Sequence, residues 1–375
     1  MSINGKKTSL SALSGEFCEK IPVGLFTWGF DYYWKVAGLE PWELACGSSK
    51  IWHKAHVALL ERHDPDLLWY TGSGQCDKEP ILEREDDNYW YITSDNKEGY
   101  LLSKVSYALL DAETKSKGCD SVGNINSKED AVRLIPEFTG WGDVYLNGLK
   151  HLVLEVSDMA LVLPHHSPAY ICACYAFGFE EAMERMITDP GLFTYVCDRY
   201  ASGDELRMQE LADAGAEAVF IADGWASCDI ISPAMVKQFA MPYQKTIIDA
   251  AHKAELKIIL WNEGDILPIL DEEAALNMDG FAFEQPRKGV ELSTAKVREA
   301  FGPKRCLLGN LDSELMLLRN DHKEITQAVN NIIKESGKGH PFIMSTGSPV
   351  TSDIPTDAVD AMINATRTFN WDNEK

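Results

Sequence analysis

No stretch of this 375-residue sequence reaches the roughly 20 consecutive apolar residues that a membrane-spanning helix needs, and the opening MSINGKKTSLSALSGEF holds no apolar run of signal-peptide length. A cytoplasmic protein without a membrane partner is expected. Basic residues are also scarce, with 35 Lys and Arg against 58 Asp and Glu, for a formal charge of -23. That balance argues against nucleic acid and anionic membranes as partners, since both reward basic patches, and it repels polyanionic substrates unless a local basic pocket overrides the field. No CxxC pair occurs, and the nine cysteines are odd in number and scattered. Reduced, packed thiols are expected rather than a disulfide framework. Cys172 and Cys174 in AYICACYAF would share a face on a strand, which admits a metal pair, but no second Cys or His pair accompanies them, so buried structural thiols are favoured. No Gly-rich nucleotide fingerprint follows any predicted strand, which weighs against a dinucleotide-binding sheet.

What the chain does contain is a soluble balance of 45% apolar and 25% charged residues, enough for one barrel domain over residues 1–375 with an insertion. After a polar leader at 1–20, residues 21–34 (IPVGLFTWGFDYYW) read as a strand and an aromatic-rich turn, a core or a pocket wall. Residues 41–66 are helical in period, DLLWY gives a further strand, and residues 80–104 carry a β-hairpin signature around an Asp-Asn-Lys-Glu-Gly turn. From residue 150 onward strands are predicted at 152–156, 169–175, 218–223, 258–261, 280–284, 306–310 and 342–346, with amphipathic helices between most of them. That alternation predicts an α/β fold, a TIM-type (β/α)8 barrel with an N-terminal β-hairpin excursion.

The stretch KIILWNEGD (257–265) shows why the strand ends matter. A short buried strand breaks at once into Asn262, Glu263, Gly264 and Asp265. In parallel barrels such ends carry the chemistry, although Asp265 is also a sound N-cap for the apolar run that follows. Elsewhere the ends supply Asp223 and Trp225, Glu284 and Gln285, Asn310 and Asp312, then Thr346 and Ser348. Carboxylates brought together at one mouth raise one another's pKa, and a protonated one can act as an acid.

The run IADGWASCDIISPAMVKQFAMPYQKTIIDAAHKAELKIILWNEGD resembles the uroporphyrinogen decarboxylase superfamily, which includes corrinoid-dependent methyltransferases. The shared features are Asp223 before Trp225, Ser232-Pro233, Pro242-Tyr243 and the turn at 262–265, followed by LLGNLD and a closing segment MSTGSPVTSDIPTDAVDAMINAT. The likeness covers roughly residues 20–370. Zinc-binding methyltransferases of the superfamily hold their metal with the His and Cys of an HxC turn and a Cys in the closing segment. Here those positions are Trp261, Glu263 and Ser348. A thiolate-rich zinc site is therefore absent, while zinc on Glu263 with His165 or His166 of LPHHSP stays open beside a plain exposed histidine pair. The Arg-rich segment that neutralises a porphyrinogen's carboxylates has its counterpart in PVGLFTWGFDYYWKV, which contains no Arg. The resemblance then implies a methyltransferase passing a methyl group between a small methylated donor and a separate corrinoid protein that carries cobalamin, because the chain has no DxHxxG loop of its own. An aryl methyl ether is the first expectation for the donor, in an O-demethylase reaction. Glu263 or Glu284 would supply the proton, Asp223 and Asn262 would orient the substrate, and Trp28, Tyr32, Trp34 and Trp225 would stack it. Trp261, Asn310 and Ser348 complete the expected substrate contacts, and a homodimer is possible. Two alternatives remain: a decarboxylase or lyase of a small aromatic or tetrapyrrole acid, and an inactive barrel serving as a partner subunit, for which a pocket closed by Trp261 would be the sign.

Overall fold

The structure is a computed structural model that describes residues 4–28, 32–45, 47–72, 81–85, 88–92, 99–102, 125–287 and 289–373. In chain order its strands are β1 (Leu67–Tyr70), β2 (Ile81–Glu85), β3 (Asn88–Ile92), β4 (Gly99–Leu102), β5 (Leu161–His166), β6 (Ala218–Ala222), β7 (Lys257–Asn262), β8 (Gly280–Phe283), β9 (Cys306–Leu311) and β10 (Phe342–Thr346). The excursion strands β2, β3 and β4 pair antiparallel in a sheet of their own. Its predicted turn, at 93–98, lies outside the described residues.

The other seven strands pair in the order β1-β5-β6-β7-β8-β9-β10 and are parallel throughout. Short bridges close the ring: Val23 pairs with Met344 on β10, and Gly24 pairs with Leu67 on β1. Backbone hydrogen bonds from Gly24 N to Met344 O (2.9 Å) and from Met344 N to Pro22 O (2.8 Å) make residues 22–24 an eighth stave. Gly24 is required there, because a Cβ would sit 2.9 Å from the Trp69 ring. The buried carboxylate of Asp66 pins the stave from outside the ladder, accepting from Val23 N at 2.9 Å and from Arg367 at 2.7 Å.

Strand alternation sorts the core into two layers. Inside the barrel lie Trp69, Leu163, Phe220, Ile259, Leu308 and Ile343, with Ala12 and Leu13 of the helix Gly5–Leu13 among them. The stretch read as a polar leader thus supplies part of the barrel core. Facing outward, Ile221, Leu260, Phe281, Leu307 and Met344 meet the helices. Among the described residues no helix is long and apolar enough to cross a membrane.

Several sequence expectations are corrected. Residues 152–156 end the helix Asp143–Val156, and residues 169–175 belong to the helix Ala169–Phe177. Both are short apolar runs, for which local pattern does not separate strand from buried helix. The strand that belongs in this place is β5, whose Pro164 and paired histidines disguised it. Pro164 falls where the strand changes partners: Leu161–Pro164 register with β1, while His165 and His166 register with β6. The helical run at 41–66 divides into the helices Pro41–Ala45 and Ser49–His63. Farther on, Pro242 is accommodated inside a helical stretch because the preceding turn, Val236–Ala240, opens into a π-helix.

Candidate active site

An aromatic column runs along the barrel axis toward the carboxyl ends of the strands. Phe26 packs on Phe220 and Trp261, with ring centroids 5.0 and 5.2 Å apart. Trp261 is 3% exposed and donates its indole N–H to the Gly347 carbonyl at 3.0 Å. Trp28 follows at the mouth, 6.1 Å from Trp261 and 4.7 Å from the His165 ring, and it is 38% exposed. Trp261 therefore floors the mouth, and the solvent-reached space begins at Trp28. Burial pushes the His165 imidazole down to about 3, so it is neutral across the physiological range.

The β7 turn is built on this floor. Trp261 faces inward, so alternation turns Asn262 outward and carries Glu263 back to the axis side. The Glu263 carboxyl rests against Gly224, where a Cβ would meet its atoms at 3.2–3.4 Å. Gly264 adopts φ +71°, and a side chain there would collide with Asp229 and Ser227. Glycine is thus needed at 264, and at 224 it leaves the carboxyl room to lie close against the backbone.

Asp223 and Asn262 point the other way. Asp223 accepts from Gln244 Nε2 at 2.9 Å, and Asn262 donates to Glu273 at 2.8 Å. Burial pushes Asp223 up to about 7, with the charge of Glu263 adding to it, and pushes Glu273 up to about 8, with Asp223 adding. Gln244 and Glu273 were not singled out in the sequence, yet Gln244 lies on the helical face of Ile247 and Ile248, and Glu273 on that of Ile269 and Leu270. That phase was their one signal.

Glu284 has become a tie rather than a free acid. It accepts from Gly264 N at 2.8 Å and Ser348 Oγ at 3.0 Å, and it pairs with Arg287. Asn310 is equally committed, donating to the Glu284 and Leu292 carbonyls at 3.2 and 3.3 Å and accepting from Thr294 at 3.0 Å. Replacing Ser348 by Ala removes one donor from a buried carboxylate, and a loss of about 1–2 kcal/mol in denaturant unfolding is expected. An unchanged midpoint would show that the tie contributes nothing.

The remaining aromatic residues divide. Tyr32 lies in the outer core, its hydroxyl 3.0 Å from His63 Nε2, while His63 Nδ1 is 2.8 Å from Asp360. Trp34 is half-buried against the same layer. Trp225 packs edge to face on Tyr175 and on Phe179, each at 5.0 Å. Of the four stacking residues expected, Trp28 alone joins the axial column.

The residues considered for zinc do not come together. His165 and His166 are consecutive on β5, so His165 faces Trp28 while His166 faces Trp141 (5.8 Å) and Asp204 (3.9 Å). Among the described residues no group of three His, Cys, Asp or Glu is placed to hold a metal ion. Cys172 and Cys174 sit two apart on a helix, hence on different sides, and burial raises both thiols, Cys172 to about 12. They are packed thiols.

Known proteins share this fold. A methyltransferase from Methanosarcina mazei has the same fold, with a TM-score of 0.72 over 97% of this chain and 98% of its own, at 19% identity. Uroporphyrinogen decarboxylase of Dichelobacter nodosus is 32% identical over 133 residues, which is 34% of this chain and 35% of that protein. Methylcobamide:CoM methyltransferase MtbA of Methanosarcina acetivorans is 24% identical over 149 residues, 39% of this chain and 40% of that one. The matched stretches thus span well under half of these curated relatives. The uroporphyrinogen decarboxylase (URO-D) family profile reaches farther, from residue 128 to 369, and takes in every strand end from β5 to β10. With its strand ends from β5 onward inside that match, this chain belongs to the uroporphyrinogen decarboxylase family.

Proposed function

We propose that this protein is a corrinoid-dependent methyltransferase, moving a methyl group between a small methylated compound and a separate corrinoid protein, with an aryl methyl ether as the donor. The observation that carries the reading is the solvent-reached Trp28 above a buried Trp261, with the Glu263 turn rising beside them. The similarity to MtbA supports the reaction class. The partner's corrinoid, when docked, supplies the nucleophile that accepts the methyl group. This chain's residues do the rest. Trp28 stacks the planar donor, Trp261 and Phe26 exclude water from below, and Glu263, ionised while the mouth is open and protonated once the bound donor shuts water out, gives that proton to the departing phenolic oxygen. Asp223 and Asn262 hold the turn from behind, a revision of the orienting role expected for them. Ser348 and Asn310 act on the substrate only through the Glu284 tie.

Mixing the purified protein with a reduced corrinoid protein and methoxylated aromatics tests this directly. Free phenol and a changed corrinoid visible spectrum are expected, and their absence with every donor would remove the reading.

The 32% identity to a uroporphyrinogen decarboxylase favours a second reading, decarboxylation of a small aromatic acid. Charge speaks against it, because Arg287 at this rim is engaged by Glu284 and Glu314. Carbon dioxide release from benzoate-type acids, with no methyl transfer, would establish it instead.

A further inference from the structure

Behind the β7 turn four polar side chains are shut away from solvent. Asp223, Gln244, Asn262 and Glu273 are each 0% exposed, and they come from the end of β6, the helix Met241–Lys253, the end of β7 and the helix Leu270–Ala275. Besides the two hydrogen bonds already given, one oxygen on every member is left without a donor: Asp223 Oδ1, Gln244 Oε1, Asn262 Oδ1 and Glu273 Oε2. While both carboxyls are ionised all four atoms are acceptors, and each remains a buried, unmade hydrogen bond.

Two protons change this arithmetic. As carboxylic acids, Asp223 and Glu273 each gain an O–H, and the two amide oxygens are the acceptors still waiting. The new donors then equal the waiting acceptors in number.

The surrounding charges act in the same direction. Asp223 faces Glu263 from the β7 turn, Tyr170, Cys172 and Cys174 from the helix Ala169–Phe177, and Cys197 from the helix Pro190–Ala201. Glu273 faces Asp223, Glu272 of its own helix and Cys228 of the loop after β6, while Lys237 is paired with Glu272. The phenol and the thiols, raised by burial, stay uncharged near neutrality, so the repulsion on each carboxyl comes from neighbouring carboxylates, Glu263 and Asp223 or Glu272, and adds to the larger cost of desolvation.

We propose that Asp223 and Glu273 stand as carboxylic acids at neutral pH, closing an uncharged ring with Asn262 and Gln244, and that this ring fixes the β7 turn that presents Glu263. Gln244 and Glu273 are then positioning residues that act on Glu263 through Asp223 and Asn262. Only the catalytic meaning of that position rests on the methyltransferase reading; the protonation and the rigidity do not.

The sign of the pH dependence follows. Both folded-state values lie above the ordinary carboxylate range, so the folded protein binds more protons than the unfolded chain between about pH 4 and pH 8. Stability is fullest at the acid end of that window and falls as pH rises through it.

Infrared spectra of the wild type, Asp223→Asn and Glu273→Gln provide the test. At about pH 7 the wild type is expected to show the carbonyl stretch of a protonated carboxyl, weakened in each variant. Melting temperatures between about pH 5 and pH 9 should fall for the wild type and fall less for Glu273→Gln, whose amide keeps the ring neutral. Amide hydrogen exchange at 262–264 should stay slow in Glu273→Gln and become at least tenfold faster in Glu273→Ala. Absence of the protonated-carboxyl band in the wild type overturns the proposal. So does an amide-variant penalty that is equal at every pH, or equal exchange in all three proteins. None of these readouts needs a donor or a corrinoid, so they stand or fall apart from the assignment of the reaction.

Discussion

Glu263→Gln is expected to lower the rate of methyl transfer by about 10²–10⁴-fold while changing donor affinity by no more than a few-fold. The amide is isosteric, so the contact with Gly224 and the course of the turn are preserved, and Trp28 still offers its face to the donor. What disappears is the proton. A phenolate departs poorly from a methyl group without protonation, and Glu284 is held by Gly264, Ser348 and Arg287 together. Single-turnover rates with a saturating donor measure the effect, and quenching of Trp28 fluorescence measures affinity. Equal turnover in the variant would take Glu263 out of the acid role, and a loss confined to affinity would make it a binding residue.

The second large effect concerns stability. Asp66→Ala is expected to cost about 3–5 kcal/mol in reversible unfolding, toward the lower end because Arg367 keeps some contact with water. The carboxylate is 1% exposed and holds both Val23 N and Arg367. Its removal strands a buried N–H and leaves the partly buried guanidinium with the Asp64 carbonyl as its remaining acceptor, at the point where the barrel closes. Asp66→Asn should lose less, because the amide oxygen can still accept from one partner. If the two variants were equally stable to the wild type in urea, the seam would owe nothing to this residue.

Much of the fold was legible because the second half of the chain repeats one simple pattern. β6 to β10 are short buried runs that end in polar residues, and each was placed within a residue or two of its ends. β5 was not, since Pro164-His165-His166 lacks the apolar signature even though the strand lies in the barrel wall. The mouth was legible as a set of strand ends, and Glu263, Trp28 and Trp261 fall where such ends converge. Which side each residue serves was not. Strand phase turns on a single residue, so Asp223 and Asn262, adjacent to inward-facing Ala222 and Trp261, face outward. Aromatic density likewise says nothing about layer, and Tyr32, four residues beyond Trp28, belongs to the packing between helices.

The closing stave has a temporal consequence. Val23 leaves the ribosome long before its neighbour in the ring, Met344, which lies far along the same chain. Loop-closure entropy makes such a contact the slowest to form, so the nascent chain must carry a stave whose second edge has yet to be synthesised. During translation β1 and β5 to β9 can assemble only as an open sheet, with a bare edge and an uncovered aromatic interior. The seam is where biogenesis is most exposed to aggregation, and a chaperone or an early-folding mutation would act there.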